Sequence, residues 1–139
     1  ISRQRHFITQ AMYLSRKGAI SEESTNGAMY EFMSLYGNTQ EGDGLKFRGA
    51  GVFQVRGRIN YKAMSEYFND KEILEKGSSV VASKYKWLSA GFIWEKLQMN
   101  KLCDKDMVTV EEVTLCLNGG YKDLAYVRNC YKEVSKIWK

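Results

Sequence analysis

Residues 37–61 read GNTQEGDGLKFRGAGVFQVRGRINY, a stretch that departs from plain core patterning. Six of the chain's 12 glycines fall between positions 37 and 57, so the backbone there needs positive φ or close approach to another group. The run from Gly51 to Val55 is short and β-branched enough to form an extended strand or hairpin arm. Beyond it, Ile59, Tyr61, Met64, Tyr67 and Phe68 resume helical spacing.

Working outward, helical patterning governs both flanks. Phe7, Ala11 and Leu14, with Ile8 and Met12, form a buried stripe that predicts a helix over 3–16, ended by Arg16, Lys17 and Gly18. A short helix is predicted over 28–36, capped by Thr25 or Asn26, with Met29, Phe32, Met33 and Tyr36 inward and Glu31 on its flank. Downstream, Val81, Tyr85, Leu88, Phe92 and Ile93 predict one long core helix over 80–99, to which Trp87 and Trp94 add large buried area. Thr109 and Glu112 make a capping box for a helix with Val110, Val113, Cys116 and Leu117 on one side, stopped by Gly119 and Gly120. Leu124, Val127, Tyr131, Val134 and Trp138 predict a last helix over 122–137.

Composition agrees with a mostly α chain: proline is absent from all 139 residues. At this length one domain over 1–139 is expected, and 44% hydrophobic residues are enough for one core. With 27% charged residues, a mean hydropathy of −0.44 and no long apolar run, a soluble globular protein is expected, neither disordered nor membrane-spanning. The net charge of +5 favours anionic partners without choosing among them. Cys103, Cys116 and Cys130 are too few for a disulfide framework and read as small buried hydrophobes; His6 stands alone, so no metal or cofactor is implied. The chain starts at Ile1 without a methionine, and no basic-then-apolar signal segment precedes the first polar turn, which reads as a processed or trimmed product whose compartment the sequence does not give.

The central stretch resembles the signature of glycoside hydrolase family 19, in which a GDG turn, a FRGRG loop, an IQLTGR strand and an NY pair line a sugar cleft. GDG at 42–44, FRG at 47–49, Gly51, Gln54, Gly57, Arg58, Asn60 and Tyr61 stand in register. Ala90, Phe92 and Trp94 resemble the family's core helix, and LNGGYKDL with Arg128 and Tyr131 its INGG motif and final helix. The resemblance implies a mainly α, lysozyme-like α+β domain with a short β-hairpin or extended segment beside the cleft. It also implies a chitinase or phage-type endolysin that inverts the anomeric centre at β-1,4 bonds beside N-acetylhexosamine, secreted or released to the cell wall. Such chemistry needs two carboxyl groups about 6.5–9.5 Å apart, one protonated and one ionised to activate water.

By the resemblance, the family's YEGRKDLGN segment aligns with Tyr30 to Asn38 and places Glu31 as the candidate base. The family's first helix reads FLAQ, two residues, then HES; here FITQ at 7–10 is followed by Tyr13, Leu14 and Ser15, so leucine stands where the general acid belongs. Leucine donates no proton, and a positioned general acid contributes about 10²–10⁴ in rate. In the same cleft, the strand threonine aligns with Arg56 and the second arginine of FRGRG is Ala50. Glu22 and Glu23, in SEES, are the candidate displaced acids.

Glycan binding does not need the acid. Gln54, Asn60 and Asn118 supply hydrogen-bonding groups for acetamido and hydroxyl groups, Tyr61 a flat apolar face, and Arg128 a bidentate partner for a cleft carboxylate. The expected function is therefore a binder of chitin or peptidoglycan glycan with hydrolysis impaired or lost. Two alternatives remain: an active inverting chitinase or muramidase using Glu31 with Glu22 or Glu23, and a non-enzymatic module docking an acidic protein through Lys46, Arg48, Arg56, Arg58 and Lys62. Those charges with Phe47, Phe53 and Tyr61 also suit single-stranded nucleic acid, but no nucleic-acid-binding signature accompanies them.

Overall fold

A computed structural model describes all of residues 1–139. The chain is mainly helical: α1 (Ser2–Leu14), α2 (Asp43–Lys46), α3 (Arg58–Tyr67), α4 (Glu72–Lys76), α5 (Ser78–Lys84), α6 (Leu88–Lys96), α7 (Met99–Cys103), α8 (Val110–Asn118) and α9 (Leu124–Ile137). Helix α1 packs along α9 and also meets α7 and α8. Its last turn closes on Ser15, whose hydroxyl donates to the Ala11 carbonyl at 2.5 Å and accepts from the Gly18 N–H. Thr109 and Glu112 make the predicted reciprocal cap on α8, and Gly119 ends that helix with φ +71°. Both orphan-donor and chain-reversal problems of the helix are thereby solved locally.

The main core joins Phe47, Val52, Tyr61, Met64, Val81, Phe92, Trp94 and Met99 to apolar side chains of α1, with Phe7 edge-on to Trp94 at 5.2 Å. A second cluster holds Tyr13, Val110, Val127 and Cys130, and Leu14 packs against both. Leu14 thus sits where α1 meets the rest of the molecule.

Several predicted elements fold differently. No helix spans 28–36: two 3-10 turns, Ala28–Tyr30 and Ser34–Tyr36, flank Phe32, whose φ of +55° breaks helical continuity, and Met29, Phe32 and Met33 are exposed. Gly51 to Val55 forms a tight turn with positive φ at Gly51 and Gln54 in place of a strand; extended structure is limited to isolated bridges joining Ala50 to Glu22 and to Val55. The long helix over 80–99 is broken into α5, α6 and α7 by bends at Tyr85–Trp87 and at Gln98 (φ +54°), which leaves Trp87 exposed while Trp94 is buried. Cys103 and Cys130 are buried as expected, but Cys116 is exposed.

Candidate functional site

The ends of these elements enclose a cavity of about 960 Å³. Tyr13 and Leu14 reach it from the end of α1, Glu22 and Glu23 from the segment that follows, and Gln54 and Arg56 from the glycine-rich turn. Asn60 comes from the first turn of α3, Lys96 from the end of α6, and Leu117 and Asn118 from the end of α8. The floor is built by backbone pairing: the Glu23 N–H donates to the Gly49 carbonyl at 2.7 Å and the Gly51 N–H to the Ser21 carbonyl at 2.7 Å. Extended backbone sends successive side chains to opposite sides, so neighbouring Glu22 and Glu23 acquire different partners.

Glu23 is the carboxylate most tightly organised here. It accepts from the Tyr30 hydroxyl at 2.7 Å and the Gly49 N–H at 2.9 Å, with the Arg56 guanidinium at 3.5 Å. Burial alone pushes its carboxyl up, but the Tyr30, Gly49 and Arg56 interactions together outweigh it and hold the group below its ordinary value. Tyr30 is pushed up to about 12, by burial and then by its bond to Glu23, and the Arg56 guanidinium lies over its ring at 5.0 Å. Glu22 accepts from Ser78 Oγ and from Arg48, both at 2.7 Å, and these two bonds lower its carboxyl as well. Both glutamates are held as hydrogen-bond acceptors by these contacts.

Glu31, the candidate base by resemblance, stands outside the cavity wall. Its two oxygens accept from the Gly42 N–H at 2.6 Å and the Gly44 N–H at 2.8 Å, so its charge satisfies amides at the start of α2. Tyr61 offers no sugar face: it is fully buried against Phe47, and its hydroxyl donates to the Arg48 carbonyl at 2.7 Å. Arg128 is bonded to Glu111 on the surface and also lies outside the cavity.

Gln54, Asn60 and Asn118 do line the cavity. Gln54 Nε2 donates to the Gly51 carbonyl at 2.9 Å, leaving its carbonyl oxygen free to accept; Asn60 bonds the Arg56 carbonyl and Lys96 Nζ. Phe53, Leu117 and the ring-bearing Tyr36 line the cavity as well. The basic residues of the motif are largely consumed inside the protein: Arg48 pairs with Glu22, Arg56 with Glu23, and Arg58 with Asp43 at 2.7 Å. That pairing removes most of the charge expected to dock an acidic partner. Sequence reasoning missed Tyr30 as the partner of Glu23, and Arg16, Lys96 and Lys122 as cavity-lining cations. Tyr30 directly precedes Glu31, but nothing local marks it as reaching back to Glu23.

No family model matches this chain, and no curated protein matches it. Solved structures do: a crystal structure of a chitinase C mutant superposes with a TM-score of 0.68 over 98% of this chain and 71% of that chain, at 15% sequence identity. The likeness shows a mainly helical, chitinase-like and lysozyme-like fold.

Proposed function

We propose that this chain binds β-1,4-linked N-acetylhexosamine glycan, chitin or peptidoglycan, in the cavity between α1, α6 and α8, with hydrolysis impaired or lost. The observation that carries the reading is the wall composition: Glu22 and Glu23 are the acidic residues lining it, both held in the ionised range, while Leu14 supplies hydrocarbon on the wall from α1. Gln54, Asn60 and Asn118 present amides among apolar surfaces from Phe53 and Leu117, the mix that an acetamido sugar needs. The role of water-activating carboxylate, assigned by resemblance to Glu31, passes in this reading to Glu23. A protonated partner is missing, and a positioned acid is worth about 10²–10⁴ in rate.

Titration with chitooligosaccharides, followed by NMR, tests it. The expected result is chemical-shift change at the side-chain amides of Gln54, Asn60 and Asn118, with glycol chitin turnover on the order of 10²-fold or more below that of an ordinary lysozyme. Turnover at ordinary lysozyme rates, abolished by Glu23→Gln, would overturn the impaired reading. No shift and no turnover would overturn the glycan reading altogether.

A further inference from the structure

We infer that the cavity selects N-acetylhexosamine glycans that carry carboxylates over neutral ones, through Arg16, Lys96 and Lys122; the inference rests on the glycan reading above. Four basic side chains line the cavity, Arg16, Arg56, Lys96 and Lys122, against Glu22 and Glu23. The two glutamates are already taken, by Arg48 and by Arg56. Arg16, Lys96 and Lys122 take part in none of the molecule's ion pairs.

Each has donors to spare. Arg16 lies over the Tyr126 ring at 4.8 Å, a contact that uses the cation's face and leaves its edge N–H groups available. Lys96 gives one of its three donors to Asn60 at 2.9 Å. All three residues are exposed, and they come from separate elements: Arg16 from just past α1, Lys96 from the end of α6, Lys122 from the loop after α8.

That arrangement decides the kind of ligand. A neutral polymer leaves three cations beside a partly enclosed cavity with nothing to answer them. A strand bearing one carboxylate on alternate sugars, such as alternating N-acetylglucosamine and N-acetylmuramic acid, brings single negative charges alongside cations that no carboxylate of the protein answers. The three cations come from three separate elements, and none of them shares a hydrogen-bond partner with another, whereas a phosphate dianion recruits several donors converging on it.

The test compares two oligosaccharides of equal length: alternating N-acetylglucosamine and N-acetylmuramic acid without peptide, and chitotetraose. A carboxyl-reduced form of the first is the control for shape. Binding is measured calorimetrically to the wild type and to the triple variant Arg16→Gln, Lys96→Gln, Lys122→Gln, whose changes are all at exposed positions and whose folding is checked by circular dichroism. The wild type should bind the carboxylated strand about tenfold more tightly than chitotetraose at low salt, with the preference lost near 0.5 M salt, in the carboxyl-reduced strand and in the triple variant. Equal affinity for the two sugars, or a preference that survives the triple substitution, overturns the inference while leaving the glycan reading standing. Binding of neither sugar by folded wild type overturns both.

Discussion

A carboxyl introduced at Leu14 would lie half-buried against both apolar clusters while facing the cavity, so desolvation would raise its pKa toward the range a general acid requires. On the proposed reading Arg56 also matters, because its guanidinium pairs with Glu23 at 3.5 Å and competes with a water for that carboxylate. We predict that Leu14→Glu with Arg56→Thr raises glycol chitin hydrolysis by roughly 10²-fold, at a stability cost of about 1–3 kcal/mol for burying a polar group. A folded, sugar-binding double variant with no gain in turnover would show that more than a proton donor has been lost. Glu31 leads to a contrasting expectation. Glu31→Gln replaces two charge-assisted bonds to Gly42 and Gly44 by at most one amide acceptor, so it should lower stability by about 1–3 kcal/mol in urea unfolding and leave oligosaccharide affinity unchanged. A large loss of affinity with unchanged stability would return Glu31 to the site.

At the scale of elements, the segment from Gly27 to Gly57 is a set of close backbone approaches with ion pairs between them. A Cβ on Gly27 would stand 2.1 Å from the Gly44 carbonyl oxygen, and one on Gly44 would stand 2.6 Å from the Glu31 carboxylate. Glycine at both positions lets the turn after Thr25 lie directly on α2, with Glu31 clamped over the joint. Gly27→Ala, which also meets a φ of +73°, should therefore cost about 2–4 kcal/mol, read as a lowered melting temperature; an unchanged midpoint would mean that this joint is not part of the cooperative fold. Asp43 completes the joint: Arg58 is the largest cause of its lowered carboxyl, followed among the lowering contacts by the N–H groups of Gln40 and Thr39. A carboxyl depressed in the folded state contributes stability above its ordinary value of 3.8, and that stability is lost as pH falls through the lower folded value. Urea midpoints should thus fall in acid, and Arg58→Ala should flatten the decline, since Asp43 then titrates closer to its unfolded behaviour. Parallel pH profiles for the two proteins would show that Asp43 is not linked to folding.

Across the whole molecule, what could be read from the sequence follows the range of the interactions. Helix α8 was legible with its ends, because the Thr109–Glu112 box and Gly119 are local signals, and α1 and α9 were legible from their apolar stripes. The 28–36 helix was misread because its Met, Phe and Tyr content imitates an amphipathic stripe, whereas the chain breaks at Phe32 with positive φ and Gly27 approaches Gly44, 17 positions away. The candidate site residues divide the same way: Gln54, Asn60 and Asn118 line the cavity, while Tyr61 and Arg128, polar in type, are bonded to the Arg48 carbonyl and to Glu111. Spending on structure and spending on ligand are separable by one measurement on the intact chain. A ligand that binds only the native state at about 100 times its dissociation constant stabilises it by about 2.7 kcal/mol, which for a chain of this size raises the melting temperature by roughly 8 °C. Tyr61→Phe, which strands the Arg48 carbonyl, should lower the unliganded melting temperature and keep that ligand-induced rise. Asn60→Ala, at the cavity wall, should change the unliganded value little and lose most of the rise, because Lys96 and the sugar both lose an amide partner. The reverse pattern, with Tyr61→Phe abolishing the rise and Asn60→Ala preserving it, would move the glycan surface away from this cavity to the face beside Tyr61.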